Sequence, residues 1–136
     1  MWKVMLADDE KSIRTALGTL IDWQSLDCEV VYMARSGQDV LDHIGQYRPD
    51  LLITDIRMPG VDGVELANRL SGSELPIPII FLTAYTDFSY AQAAVRYSVA
   101  DYIVKPNVLV ELPQGIRPIQ ERFRMQPAGQ RGRIPE

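Results

Sequence analysis

Apolar residues along this chain follow two patterns that take turns. Four short, continuous runs, Trp2 to Ala7, Cys28 to Ala34, Leu51 to Thr54 and Ile79 to Leu82, read as buried strands, and Tyr102-Ile103-Val104 reads as a fifth. Continuous rather than alternating apolar runs suit a parallel sheet covered on both faces. Between them, apolar residues recur three and four positions apart, the spacing of one helix face: Ile13, Ala16, Leu17, Leu20 and Ile21, then Val40, Leu41 and Ile44. A third helix is predicted from Val64-Glu65-Leu66-Ala67 through Leu70, closed by Ser71-Gly72-Ser73. A fourth, carrying Phe88, Ala91, Ala94 and Val95, begins after Asp87.

The fifth helix is the weakest of these expectations. Asn107-Val108-Leu109-Val110-Glu111-Leu112 can open one, but Pro113, Gly115 and Pro118 each disfavour its continuation. Proline lacks the amide N–H that a helix interior needs, and glycine loses the most backbone entropy. Past Phe123, the stretch from Arg124 to Arg133 has no apolar period and is rich in breaking residues, like a linker or frayed tail. Strict strand–helix alternation implies right-handed crossovers and an open α/β sheet. With five strands the expected architecture is flavodoxin-like, a doubly wound parallel (βα)5 fold with strand order 2-1-3-4-5. We expect a single domain over residues 1–116 and a linker-like basic tail over 117–136.

Charge sharpens this division. The formal net charge is −4, yet residues 1–116 hold 9 Lys+Arg against 16 Asp+Glu, while residues 117–136 hold 5 against 2. An acidic body lacks the phosphate-neutralising surface that nucleic acids require, so DNA contact is expected only through the tail or an output domain absent from this chain. The single cysteine, Cys28, cannot form an internal disulfide and lies in an apolar run, so a buried structural thiol is expected. The apolar start from Met1 to Leu6 is too short for a signal peptide or a membrane span, so a cytoplasmic protein with no membrane partner is expected. His43, on a predicted helix, is expected at the surface.

In an open α/β sheet, ligands bind outside the carboxyl ends of the strands. The residues there are Asp8-Asp9-Glu10, Asp55, Thr83 and Lys105. Several carboxylates at one edge are costly unless a hard cation lies among them, and Mg²⁺, which takes oxygen ligands and keeps several waters, fits best. Asp9 and Asp55 are the expected direct ligands, with Asp8 helping through water. An aspartate can attack phosphorus to form an acyl phosphate, and Asp55 is placed to do so. Lys105 supplies a point charge for a phosphoryl oxygen or for Asp55, and the Thr83 hydroxyl can donate a further hydrogen bond. Each residue has a plainer reading. Asp8-Asp9 could cap a helix, Asp55 could cap the loop before Pro59-Gly60, Lys105 could be a surface lysine, and Tyr102 could be ordinary strand packing. Asp62, before Gly63, is expected to cap a helix. It is the coincidence of five positions that favours chemistry.

The segments Val4-Met5-Leu6-Ala7-Asp8-Asp9-Glu10, Asp55-Ile56-Arg57-Met58-Pro59-Gly60-Val61-Asp62-Gly63, Thr83-Ala84 and Asp101-Tyr102-Ile103-Val104-Lys105-Pro106 resemble those of response-regulator receiver domains of two-component systems. The resemblance covers roughly residues 2–112. It implies that Asp55 is the phosphoacceptor, that Asp8 and Asp9 form the acidic metal pocket, and that the Arg57 backbone carbonyl is a third protein ligand. It also implies that Thr83 and Lys105 contact the phosphoryl group, that Thr83 couples to an aromatic switch at Tyr102, and that the Lys105–Pro106 bond is cis. Implied partners are a sensor histidine kinase and, through the face formed by helix four, strand five and helix five, a second copy of the domain. The activity implied is Mg²⁺-dependent self-phosphorylation and slow autodephosphorylation rather than conventional enzymatic turnover. Ile21-Asp22-Trp23 and the run from Tyr85 to Ala91 are similar to the subgroup whose receivers precede an AraC-type helix-turn-helix domain, which implies control of transcription.

Three other functions compete. A dehalogenase-type phosphatase needs a second carboxylate two residues after its nucleophile, where Arg57 stands. A flavin carrier needs a phosphate cradle after strand one, where Asp8-Asp9-Glu10 would repel one. A phosphate-independent interaction module shares the fold and differs only in what the site does, while a stand-alone receiver keeps the site and differs in lacking an output domain.

Overall fold

Each apolar run forms a strand and each periodic segment a helix. The structure, a computed structural model, describes residues 1–72, 77–84, 88–105 and 107–124. The strands are β1 (Trp2–Ala7), β2 (Cys28–Ala34), β3 (Leu51–Asp55), β4 (Ile79–Thr83) and β5 (Asp101–Val104). The helices are α1 (Lys11–Leu20), α2 (Gly37–Tyr47), α3 (Gly63–Ser71), α4 (Phe88–Arg96) and α5 (Val108–Arg124), with a 3-10 turn at Gln24–Leu26. All strand pairs are parallel and the sheet order is β2-β1-β3-β4-β5, the flavodoxin-like arrangement expected.

Alternation along the strands splits the core in two. Val4, Leu6, Leu51, Ile53, Ile80, Leu82 and Ile103 face α1 and α5, joined there by Leu17, Leu112, Ile116 and Ile119. Met5, Ala7, Leu52, Ile79 and Phe81 face α2, α3 and α4, meeting Val40, Leu66, Leu70 and Ala94. The side-chain period of two thus supplies each helical layer from the same strands. Ser36 caps α2 by accepting from the Asp39 N–H at 3.1 Å, and Asp62 caps α3 by accepting from the Glu65 N–H at 2.9 Å, the latter as expected.

Two expectations need correction. The fifth helix is not halted by its breakers: α5 holds Pro113 and Pro118 in its interior and runs to Arg124, past the boundary drawn at residue 116. Leu112, Ile116 and Ile119 are buried, each contributing roughly 1.5–3 kcal/mol against about 3 kcal/mol or more for an interior proline. A Cβ on Gly115 would press on the Asp101 carboxylate, which would have to turn aside. Gln120, also buried, donates to the Leu26 carbonyl at 2.7 Å and lies 3.5 Å from Cys28 Sγ. Cys28 is buried as expected, and burial pushes its thiol up to about 11. His43 is not a plain surface residue: its ring stacks on Tyr32 at 4.4 Å and reaches Asp39 Oδ1 at 3.0 Å. The Lys105–Pro106 bond and the linker-like stretch 125–136 lie outside the described residues. Among the described residues, no helix is long and apolar enough to cross a membrane.

Candidate functional site at the carboxyl edge of the sheet

Parallel strands in register bring the ends of β1, β3, β4 and β5 to one edge. β3 and β4 each run one residue further than their apolar runs, so Asp55 and Thr83 are terminal strand residues, paired with Leu82 and Val104 respectively. Asp8 and Asp9 follow β1 directly, and Lys105 follows β5. One carboxylate oxygen from each of Asp8, Asp9 and Asp55 lies within 4.8 Å of the other two. Asp8 and Asp55 are buried and Asp9 is exposed, so the cluster opens to solvent on one side.

The capping alternative for Asp8-Asp9 fails on geometry. The N-cap of α1 is Glu10, which makes no side-chain capping bond. Asp8 instead accepts the Glu10 N–H through Oδ1 at 2.9 Å, closing a tight turn that leaves Oδ2 for the site. Lys105 Nζ donates to that Oδ2 at 3.0 Å and lies 3.7 Å from Asp55 Oδ2. The lysine therefore hydrogen-bonds to Asp8 and keeps a longer ion pair with Asp55, the partner the sequence had suggested. Asp55 Oδ1 is occupied by the Ile56 N–H at 2.8 Å.

Burial is the main influence on Asp55. It pushes the carboxyl from 3.8 to about 6; Lys105 opposes the rise, while Asp8 and Asp9 add to it. Burial would lower the Lys105 ammonium, but the Asp8 hydrogen bond and the Asp55 charge outweigh it and leave its pKa raised. Such a site has more negative charge than one ammonium balances. Three convergent carboxylate oxygens are the donor set of a hard divalent cation, so the residues present fit a metal such as Mg²⁺.

The surrounding backbone is tightly held. The Gly63 N–H donates to the Ile56 carbonyl at 2.7 Å, and a Cβ on Gly63 would meet the Asp55 carbonyl oxygen at 2.5 Å, so only glycine lets α3 start against the end of β3. Thr83 is fully buried, and its carbonyl accepts the Lys105 N–H at 2.7 Å, tying the ends of β4 and β5 together. Tyr102 is half-buried, one strand over from Phe81, with its ring on the α2–α3–α4 side of the sheet.

One residue and one side-chain contact at this edge escaped the sequence reading. Arg14 Nη1 donates to the Asp8 backbone carbonyl at 2.8 Å, bracing the loop that carries both acidic residues. Its position on the first turns of α1 was the only available signal. Arg57 Nε donates to Tyr90 Oη at 2.6 Å, and no local pattern joins residues 33 apart.

Residues 4–117 match the response regulator receiver domain. A Staphylococcus aureus transcriptional regulatory protein, HptR, is 41% identical over 106 residues, covering 78% of this chain and 41% of its own length. An uncharacterised Bacillus subtilis transcriptional regulatory protein, YesN, is 36% identical over the same span, which is 29% of its length. The chain thus spans well under half of these relatives. Among solved structures, the receiver domain of AraT, a response regulator from Geobacillus stearothermophilus, superposes with a TM-score of 0.76 at 36% identity, covering 89% of this chain and 98% of that one. A LuxR-family DNA-binding response regulator from Staphylococcus aureus gives 0.78 at 27% identity, covering 88% and 98%. With the acidic cluster, the lysine and the strand order on the same edge, this chain belongs to the response regulator receiver domain family.

Proposed function

We propose that Asp55 accepts a phosphoryl group from a sensor histidine kinase or a small phosphodonor, and that the modified domain controls transcription through an output domain outside this chain. The observation that carries this reading is the convergence of Asp8, Asp9 and Asp55, with Lys105 between Asp8 and Asp55.

In this reading Asp9 and Asp55 hold Mg²⁺ directly, Asp8 holds it through water, and the Arg57 backbone carbonyl completes the protein ligands. When bound, the cation neutralises charge on the transferring group and keeps Asp55 ionised. An Asp55 carboxylate oxygen attacks phosphorus, the new O–P bond forms, and the donor's leaving group departs with its electron pair. Lys105 then exchanges its Asp8 partner for a phosphoryl oxygen, and the Thr83 hydroxyl turns to donate to another. Movement of Thr83 frees space for Tyr102 to rotate inward, a two-state element biased by local charge. Val95, Leu109 and Val110 are exposed apolar residues on α4 and α5, which supports a second copy of the domain docking on the α4–β5–α5 face. The partition at residue 116 becomes, in this proposal, a body that includes α5 followed by a basic linker.

Intact mass after incubation with acetyl phosphate and Mg²⁺ tests the core of the proposal. One phosphoryl group should be gained by the wild type, and none by Asp55→Asn or in EDTA. A folded wild type that gains nothing would instead favour a phosphate-independent interaction module.

A further inference from the structure

We propose that Tyr90 is a positioning residue for the metal site, acting through the Arg57 side chain to hold the loop after β3 and to tie occupancy of that site to the placement of α4. The inference rests on the reading above that the Arg57 carbonyl is a metal ligand.

Arg57 stands two residues beyond Asp55, flanked by Ile56 and Met58, both buried. Its neighbours therefore anchor the loop in the core while its own side chain projects outward. The guanidinium is nevertheless held: Nε donates to Tyr90 Oη at 2.6 Å, and the guanidinium carbon lies 5.6 Å from the centre of the Tyr90 ring. Both a hydrogen bond from a cation and a cation–π contact thus converge on one ring. Tyr90 is itself anchored, packing against the core cluster shared by α3 and α4. A ring fixed in α4 is a firm post, and an arginine tied to it restricts the peptide whose carbonyl would face the cation.

A carbonyl ligand has no titration or charge to tune, so its contribution depends on orientation. A side-chain tether is one way to set that orientation. The same tether works in reverse: if α4 in its present place tightens the metal, the metal must steady α4 by the same factor. The plain alternative is a surface contact between an arginine and a tyrosine with no effect on the site.

Calorimetric Mg²⁺ titration of wild type, Tyr90→Phe, Arg57→Ala and the double variant separates the two. Phenylalanine keeps the ring beneath the guanidinium and removes only the hydroxyl, and alanine at 57 keeps the backbone carbonyl. We expect Tyr90→Phe to weaken Mg²⁺ binding about threefold to tenfold, at the low end for coupled sites because the bond is exposed. Metal-free melting temperature should be unchanged, and the double variant should bind no more weakly than Arg57→Ala alone. Hydrogen exchange across α4 should slow on adding Mg²⁺ to the wild type and should not slow in Tyr90→Phe. Wild-type affinity in Tyr90→Phe, or additive losses in the double variant, would overturn the inference while leaving the metal site intact. A wild type that binds no Mg²⁺ would overturn the metal-site reading and this inference with it.

Discussion

Replacing Asp55 with asparagine should stabilise the metal-free protein. Asparagine is close in shape to the protonated acid and can still accept the Ile56 N–H, but it carries no charge into the buried cluster. The rise of the Asp55 carboxyl from 3.8 to about 6 already includes the attraction of Lys105 and the repulsion of Asp8 and Asp9. At 1.36 kcal/mol per pH unit, that rise sets a ceiling of about 3 kcal/mol on the penalty of ionising Asp55 in the folded state. Relaxation of the exposed Asp9 side and the imperfect mimicry of an amide reduce the expected gain to about 1–2 kcal/mol, or about 3–8 °C in melting temperature for a domain of this size. The pH dependence has a defined sign. A folded-state pKa above the unfolded one means the folded protein binds the extra proton, so the penalty is absent below about pH 4 and grows as pH rises through about 6. Melting curves in EDTA should therefore coincide for the two proteins near pH 4, diverge between pH 4 and 6, and stay separated above pH 6, with the variant higher. Saturating Mg²⁺ should then raise the wild type preferentially and narrow or invert the gap. A variant that melts below the wild type at pH 7 in EDTA would refute the claim that uncompensated charge dominates this site.

Other substitutions probe separate parts of the structure. Asp9→Ala should weaken Mg²⁺ binding at least tenfold and leave the far-ultraviolet circular dichroism unchanged, because the residue is exposed and caps nothing; unaltered affinity in a calorimetric titration would remove Asp9 from the site. Gly63→Ala should cost about 1–3 kcal/mol in urea unfolding and slow phosphorylation, since its Cβ would press on the backbone of Asp55 and Ile56. Tyr102→Ala should keep phosphorylation and lose transcriptional output in a reporter assay with the full-length regulator; normal output would remove Tyr102 from the switch.

Why some features were legible in the sequence and others were not has a physical basis. The strands were visible because burial on both faces leaves no polar position to interrupt them, as in Leu51 to Thr54 and Ile79 to Leu82. The site was visible because its residues fall at the ends of those runs. Asp62 was recognisable as a cap because capping is a local bond spanning three residues. α5 was misjudged because local propensity weighs Pro113 and Pro118 heavily, whereas the packing of Leu112, Ile116 and Ile119 is a tertiary effect. The Tyr32–His43 stack and the Arg57–Tyr90 bond join separate elements, and a one-dimensional period carries no trace of them. The Asp8 bond of Lys105, across 97 positions, was not foreseen, because the sequence placed both at one edge without saying which carboxylate the ammonium meets.

The seating of Gln120 over Cys28 has a consequence for how the molecule breathes. The sulfur sits beneath the last turns of α5, and burial there raises its pKa, so few thiolates form while it is covered. An alkylating reagent can reach it only in excursions that open this corner, including those where α5 lifts from the sheet. The rate of alkylation then reports how often this corner opens, without a label placed by design. The chain thus carries its own reporter on β2, directly beneath α5.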